Sequence, residues 1–263
     1  MILRLREVSH TYRIKDRQVE AIRGIDLDVA EGEFISLCGP SGCGKTTLLE
    51  VMSGLRRPTE GAVELEDKPV AGPSREIGIV FQEESTFPWR TVLENIEFGM
   101  EMLGVPRSER RRRAHDMVDL VGLQGFEATY PHQLSGGMRQ RVAIARTLAC
   151  RPKLVVMDEP FGALDEQTRL ILGVELLRIV GETGATAILV THSIQEAALL
   201  SDRIVVLTAR PGRVKSVISS PLPKPRGAGV LATHAFAEVS RRIWASLEED
   251  ALLAVHRSGA GSN

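Results

Sequence analysis

The chain has 263 residues, enough for a sizeable core in one large domain or two small ones. Its net charge of −1 gives no overall electrostatic footprint for nucleic acid, and its hydrophobic and charged fractions are those of a soluble globular protein. No apolar secretory leader opens the chain, and no apolar run reaches the roughly 18 residues of a bilayer span. Its three cysteines (Cys38, Cys43, Cys150) have neither metal-ligand spacing nor an even count, so a reducing cytoplasm is expected.

Residues 2–8 partly alternate apolar and polar side chains, which predicts a half-buried strand, and Tyr12 follows. Ile25, Leu27 and Val29 alternate with Asp26 and Asp28 in a second such strand. Residues 33–38 read as a buried strand, and Leu48 to Met52 as a helix. Between them runs Gly39-Pro40-Ser41-Gly42-Cys43-Gly44-Lys45-Thr46-Thr47, which fits G-x-x-x-x-G-K-[ST] in the strand–loop–helix setting the pattern requires. Such a loop turns backbone N–H groups inward around a phosphate, and the helix N-terminus adds favourable partial charge. Lys45 is expected to reach the β- and γ-phosphates, and Thr46 to ligate Mg²⁺. Cys43 is read as a small residue within the loop, since its thiol has no activating partner in sequence.

Short strands are predicted at 61–65 and 77–81, the second ending at Gln82. From about Glu83 to Cys150 the periodicity is helical. One helix opens over Thr91–Ile96, and another near Pro106, with Ala114, Met117, Val118 and Val121 as its buried stripe. Its basic run Arg110 to Arg113 is read as a solvated face, with contact to anionic lipid or an acidic partner as the alternative. A further helix runs from Leu134-Ser135-Gly136-Gly137 to Ala149. Leu154 to Met157 and Ala187 to Val190 are continuous apolar runs, typical of parallel strands buried on both faces. A helix between them reaches roughly Val180. Residues 204–207 and 214–218 flank the turn Ala209-Arg210-Pro211-Gly212 as a hairpin, a helix is expected over about 233–254, and Ser258 to Asn263 read as a frayed tail.

The acids that complete a phosphate loop stand at strand ends, where ligands bind in open α/β sheets. Asp158 ends a buried strand and is the expected second Mg²⁺ ligand. Glu159, next to it, is positioned to deprotonate an attacking water. His192 ends the next buried strand, to hold that carboxylate and the γ-phosphate, or in a merely structural role. Gln82 offers an amide oxygen to Mg²⁺ or the water. Ser135, Gly136 and Gly137 form either a plain helix cap or a second anion site. One nucleotide needs only one phosphate loop, so the second reading invites a dimer in which this segment covers the γ-phosphate held by the other copy's Lys45.

The set of the loop 39–47, Gln82, the octet Leu134 to Arg141, Asp158-Glu159, Gly162-Ala163-Leu164-Asp165 and His192 resembles the ATP-binding subunits of ABC transporters over residues 1 to about 225. The resemblance implies an α/β P-loop NTPase cassette: a mostly parallel sheet core, an antiparallel β subdomain and a helical subdomain inserted at about 83–150. Residues 226–263 are then a helical extension and flexible tail. It also implies that Tyr12 stacks on adenine, that ATP and Mg²⁺ are the cofactors, that loop residues 39–47 with the partner copy's Ser135-Gly136-Gly137 bind nucleotide, and that 162–165 face the partner. Ser193 departs from the aspartate often found after the histidine. Glu83 to Ile96, with Phe87 and Trp89, and Pro221 to Arg226 are similar to bacterial importers for nitrate, taurine and aliphatic sulfonates. Phe87 and Trp89 are read as permease contacts or as core. The expectation is an ATPase subunit on the cytoplasmic face of the cell membrane, serving permease subunits and, indirectly, a solute-binding protein. The alternatives are an importer for another small solute such as a pyrimidine precursor, an exporter subunit, a non-transport ABC ATPase and a P-loop kinase.

Overall fold

A computed structural model describes residues 1–15, 17–82, 85–162 and 164–259, with residues 228 and 250–259 described by backbone alone. Apolar side chains on one face of the pleat make β1 (Leu3–Ile14) and β2 (Arg17–Val29) an antiparallel pair, with Leu3, Leu5, Val8, Ile22, Ile25 and Val29 wholly buried. Every residue of β3 (Phe34–Cys38) is buried, and α1 (Lys45–Met52) follows the loop. β4 (Glu60–Leu65) and β5 (Lys68–Pro69) complete a four-stranded antiparallel sheet of order β2-β1-β4-β5. β6 (Ile77–Val80) leads into α2 (Val92–Met102), α3 (Arg107–Leu120) and α4 (Gly136–Ala149). Then come β7 (Leu154–Asp158), α5 (Glu166–Thr183), β8 (Thr186–Val190), α6 (Ile194–Leu200), β9 (Arg203–Leu207), β10 (Val214–Ser219) and α7 (His234–Gly259).

The second sheet has the order β10-β9-β3-β8-β7-β6, parallel except for β10. β3, β7 and β8 are buried at every residue, as strands covered on both faces must be. Leu48, Leu49, Val51 and Met52 of α1 fill the space between the two sheets, so the helix behind the loop belongs to the core itself. A second apolar cluster joins α2, α3 and α4 to α5 and α6.

Several expected elements change in detail. The first two strands run well past the predicted alternation, and Tyr12 lies inside β1. Their arms extend beyond the core, where charged residues flank the apolar ones and Tyr12, Ile14 and Val19 are covered only in part or not at all. Pro106 sits at the N-cap of α3 rather than in its first turn. The basic run is not a uniformly solvated face. Arg110 binds Glu97 and Glu101, Arg111 binds Glu97 and Arg113 binds Glu109, while Arg112 pairs with Asp116 at the exposed edge. α7 continues past Ala254 to Gly259, and the remainder of the expected tail lies outside the described residues. Its Phe236, Val239 and Ile243 are buried, and Ser246 Oγ meets Ser216 Oγ of β10 at 3.1 Å, so this helix is docked on the core.

Candidate functional site

The phosphate loop is locked from below and from the side. Gly44, at the N-terminus of α1, has φ +106°, where only glycine is unstrained, and a Cβ there would lie 2.6 Å from Ala21 O. A Cβ at Gly39 would lie 2.7 Å from the buried Cys43 Sγ, which gives the small Cys43 its packing role. Lys45 is only 7% exposed, and its Nζ donates to Gly39 O at 2.8 Å and Pro40 O at 3.1 Å. The ammonium is thereby curled into the concavity of its own loop.

Above the loop lies a cavity of about 520 Å³. One wall is apolar, from Tyr12, Ile14, Val19 and Ala21 of β1 and β2. The floor is Ser41, Gly42, Gly44, Lys45, Thr46 and Thr47, and Gln82, Glu159 and Arg210 close the remaining sides. Tyr12 is fixed by its hydroxyl, 3.0 Å from Thr47 Oγ1, by the edge of His10, and by the Arg56 guanidinium 4.8 Å above its ring. Glu50 holds Arg56 at 2.6 Å.

The acids arrive from β7. Asp158 is buried at its end, and burial pushes its carboxyl above the usual range, opposed by a hydrogen bond from Thr46 and by the charge of Lys45. The two expected oxygen ligands, Thr46 and Asp158, are thus neighbours. Glu159 has φ +44°, an unusual conformation for a non-glycine residue. Its N–H donates to Val190 O at 2.9 Å, and its Oε2 lies 3.0 Å from His192 Nδ1. The carboxylate therefore stands between the cavity and the imidazole. Ser193, the departure from the family pattern, caps α6: its hydroxyl accepts from Glu196 N at 3.3 Å, and its own N–H donates to Thr191 Oγ1 at 2.9 Å.

Ser135, Gly136 and Gly137 are not among the described residues that wall the cavity. They form the N-terminus of α4, where Ser135 Oγ accepts from Met138 N at 3.3 Å. Elsewhere in the octet, Gln140 is buried, Arg139 donates to Leu134 O at 2.6 Å, and Arg141 donates to Val121 O at 3.2 Å. Asp165 caps α5 by accepting from Thr168 N at 3.0 Å, and Ala163 lies outside the described residues. Phe87 packs on Phe98 and under Arg146, whereas Trp89 is 71% exposed. Of the two, only Phe87 has core-like packing.

Three features escaped the sequence reading. Buried Asn95 donates to the carbonyls of Phe87, Arg90 and Thr91 and accepts from Phe87 N, pinning the segment after Gln82. Buried Glu196 accepts from Thr191 Oγ1 at 2.5 Å and faces Arg169 Nε at 3.3 Å, while Arg169 donates to Gly162 O and Leu164 O. Arg210 reaches the loop from 168 positions away. No local pattern signals such pairings; the helical spacing of Arg169 and the run Thr191–Glu196 only hint at the second.

The family model described as "ABC transporter" matches residues 22–162. This chain belongs to the ABC transporter family. An uncharacterized ABC transporter ATP-binding protein of Methanocaldococcus jannaschii is 49% identical over 95% of this chain and 92% of its own length. A taurine import ATP-binding protein of Yersinia pestis is 47% identical over 76% of this chain and 78% of that one. A nitrate import ATP-binding protein of Synechococcus elongatus is 46% identical over 83% of this chain, which spans 34% of that longer protein. Among solved structures, a dimeric ATP-binding cassette in a post-hydrolysis state with ADP and Pi superposes with a TM-score of 0.72 at 34% identity, covering 83% of this chain and 98% of that one. The ABC cassette fold expected from the motifs is therefore the fold of this chain, and it is an ATP-binding ATPase of that family.

Proposed function

We propose that this ABC ATPase drives uptake of a small solute through a membrane permease, with two copies sandwiching two ATP between the loop of one and Ser135-Gly136-Gly137 of the other. The observation that carries the reading is the convergence of Lys45, Thr46, Gln82 and Glu159 on one cavity beside Asp158. In it, adenine stacks on Tyr12, and Ser41 to Thr47 with Lys45 bind the phosphates. Gly39 and Pro40 contribute the carbonyls on which Lys45 rests.

The Thr46 hydroxyl, Gln82 amide and Asp158 carboxylate form a hard oxygen set with a single acid, which suits Mg²⁺ shared with nucleotide phosphates. Bound there, Mg²⁺ neutralises charge developing on the transferred phosphoryl group. Glu159 takes the proton of the attacking water, and His192 holds that carboxylate in place and reaches the γ-phosphate. Ser135 and the glycines at the α4 N-terminus present N–H groups to the partner's γ-phosphate, so hydrolysis waits for closure of the dimer.

Residues 1–225 are the ATPase unit in this reading, and 226–263 a helical extension and flexible tail, of which α7 packs on the core through Phe236, Val239 and Ile243. Trp89, exposed beside Phe87, contacts the permease, which keeps the protein peripheral on the cytoplasmic face of the membrane; no described helix is long and apolar enough to cross one. A solute-binding protein engages the permease from the other side. Nitrate, taurine or an aliphatic sulfonate is the favoured solute, supported by the segment after Gln82 and by the import relatives; a pyrimidine precursor is the alternative.

The test is Glu159→Gln. ATP binding, by calorimetry, should stay within a few-fold of the parent. Hydrolysis should fall by at least about a hundredfold, and sizing with ATP should show a trapped dimer. Undiminished turnover would remove Glu159 as the base.

A further inference from the structure

Arg210 walls the nucleotide cavity but belongs to none of the motifs that define the site. It comes from the turn between β9 and β10, and that turn is tied down on several sides. Gly212 N donates to Ala21 O at 2.8 Å, and Arg23 N to Gly212 O at 3.0 Å, which fastens it to β2. Thr208 Oγ1 donates to Pro211 O and accepts from Arg213 N, both at 3.0 Å. A Cβ at Gly212 would fall 2.2 Å from Cys43 O, so the turn rests directly on the phosphate loop.

The guanidinium follows the backbone onto the loop. Its Nε donates to Gly42 O at 3.1 Å, and one terminal nitrogen lies 3.4 Å from where a Cβ on Gly42 would stand. Among the described residues, the two terminal nitrogens have no hydrogen-bond acceptor and no carboxylate partner. Arg23, Arg56 and Arg178, also at the surface, each hold a glutamate. An anchored arginine thus offers an uncommitted donor fork to a cavity whose other cation, among the described residues, is Lys45.

We propose that Arg210 is a second cationic ligand of the nucleotide, contacting its phosphates from the side of Val19 and Ala21 while Lys45 holds them from within the loop. The assignment rests on the reading that this cavity binds ATP. Planar guanidinium matches phosphate oxygens in a fork, and the bond to Gly42 O removes much of the entropy that an exposed arginine would lose on binding. Its contribution adds to that of the loop amides and does not replace Lys45.

The test is calorimetric titration of the full chain with ATP and ADP, with adenosine measured by competition against ADP. Arg210→Ala should weaken ATP and ADP about tenfold and leave adenosine within about twofold, with an unchanged thermal midpoint because the side chain is exposed. Arg210→Lys should recover part of the loss, keeping the charge but not the fork. ATP affinity within twofold of the parent in Arg210→Ala would overturn the proposal, and so would an equal loss for adenosine. Lys45→Ala separates the two readings. If it retains ATP affinity, the cavity reading fails; if it abolishes binding while Arg210→Ala does nothing, only the arginine is wrong.

Discussion

The loop at 39–47 and the turn at 135–137 are both glycine-rich helix N-termini, yet they are built in opposite ways. The first is sealed. Lys45 and Cys43 are buried, Gly39 and Gly44 have no room for a side chain, and the helix behind the loop is packed between two sheets. The second is open. Ser135 is exposed, and its hydroxyl caps the helix by accepting from Met138 N. A sealed loop has its conformational entropy removed at folding, so it can bind nucleotide within one copy. In the proposed dimer, the exposed start of α4 would take its ligand from the other copy.

Three substitutions break or sharpen that contrast. The largest effect is expected at Gly44→Ala, where a Cβ would strike Ala21 O and Ile22 Cγ2 in a left-handed conformation. Denaturant unfolding should show a loss of about 3 kcal/mol, with ATP affinity lost in parallel. Near-parental stability would mean the loop is not locked. Ser135→Ala should behave differently. The missing cap removes about 1 kcal/mol, ATP affinity of the single copy should stay within about twofold, and turnover should drop about tenfold from one lost phosphate contact. A matching loss of ATP affinity would erase the distinction between the two helix ends.

The smallest effect concerns His10, which backs the apolar wall through Tyr12. Burial, and then the charge of Arg56, hold its imidazole below the usual range. Its folded pKa lies below the unfolded one, so the unfolded chain binds more protons in the window between them. Stability from this residue is therefore complete above the unfolded value of about 6.5 and is lost as pH falls. His10→Asn should flatten the stability slope between about pH 7 and 5. An unchanged slope would assign it to another group.

The core strands were legible because burial on both faces forces unbroken apolar runs, as in Leu154 to Met157 and Ala187 to Val190. The outer arms of β1 and β2 were not, since their few apolar positions (Tyr12, Ile14, Val19) stand among charged residues and line a cavity, not a core. The basic run at 110–113 misled for a related reason. Charge reads as solvation until the acids that meet it are placed, and Glu97 and Glu101 come from another helix.

By itself, the sequence determined the phosphate loop, the acids at strand ends and the glycine-rich start of α4. Each of these depends on neighbours along the chain: a turn that needs glycine, a strand that must stop, a helix that must be capped. Only the tertiary structure decided that Glu159 meets His192 at 3.0 Å, that Glu196 and Arg169 join the strand end to the carbonyls of Gly162 and Leu164, and that Arg210 lies on Gly42. Those contacts arise from sheet order and from a turn packed on a loop. They join residues up to 168 positions apart, and no local pattern records them.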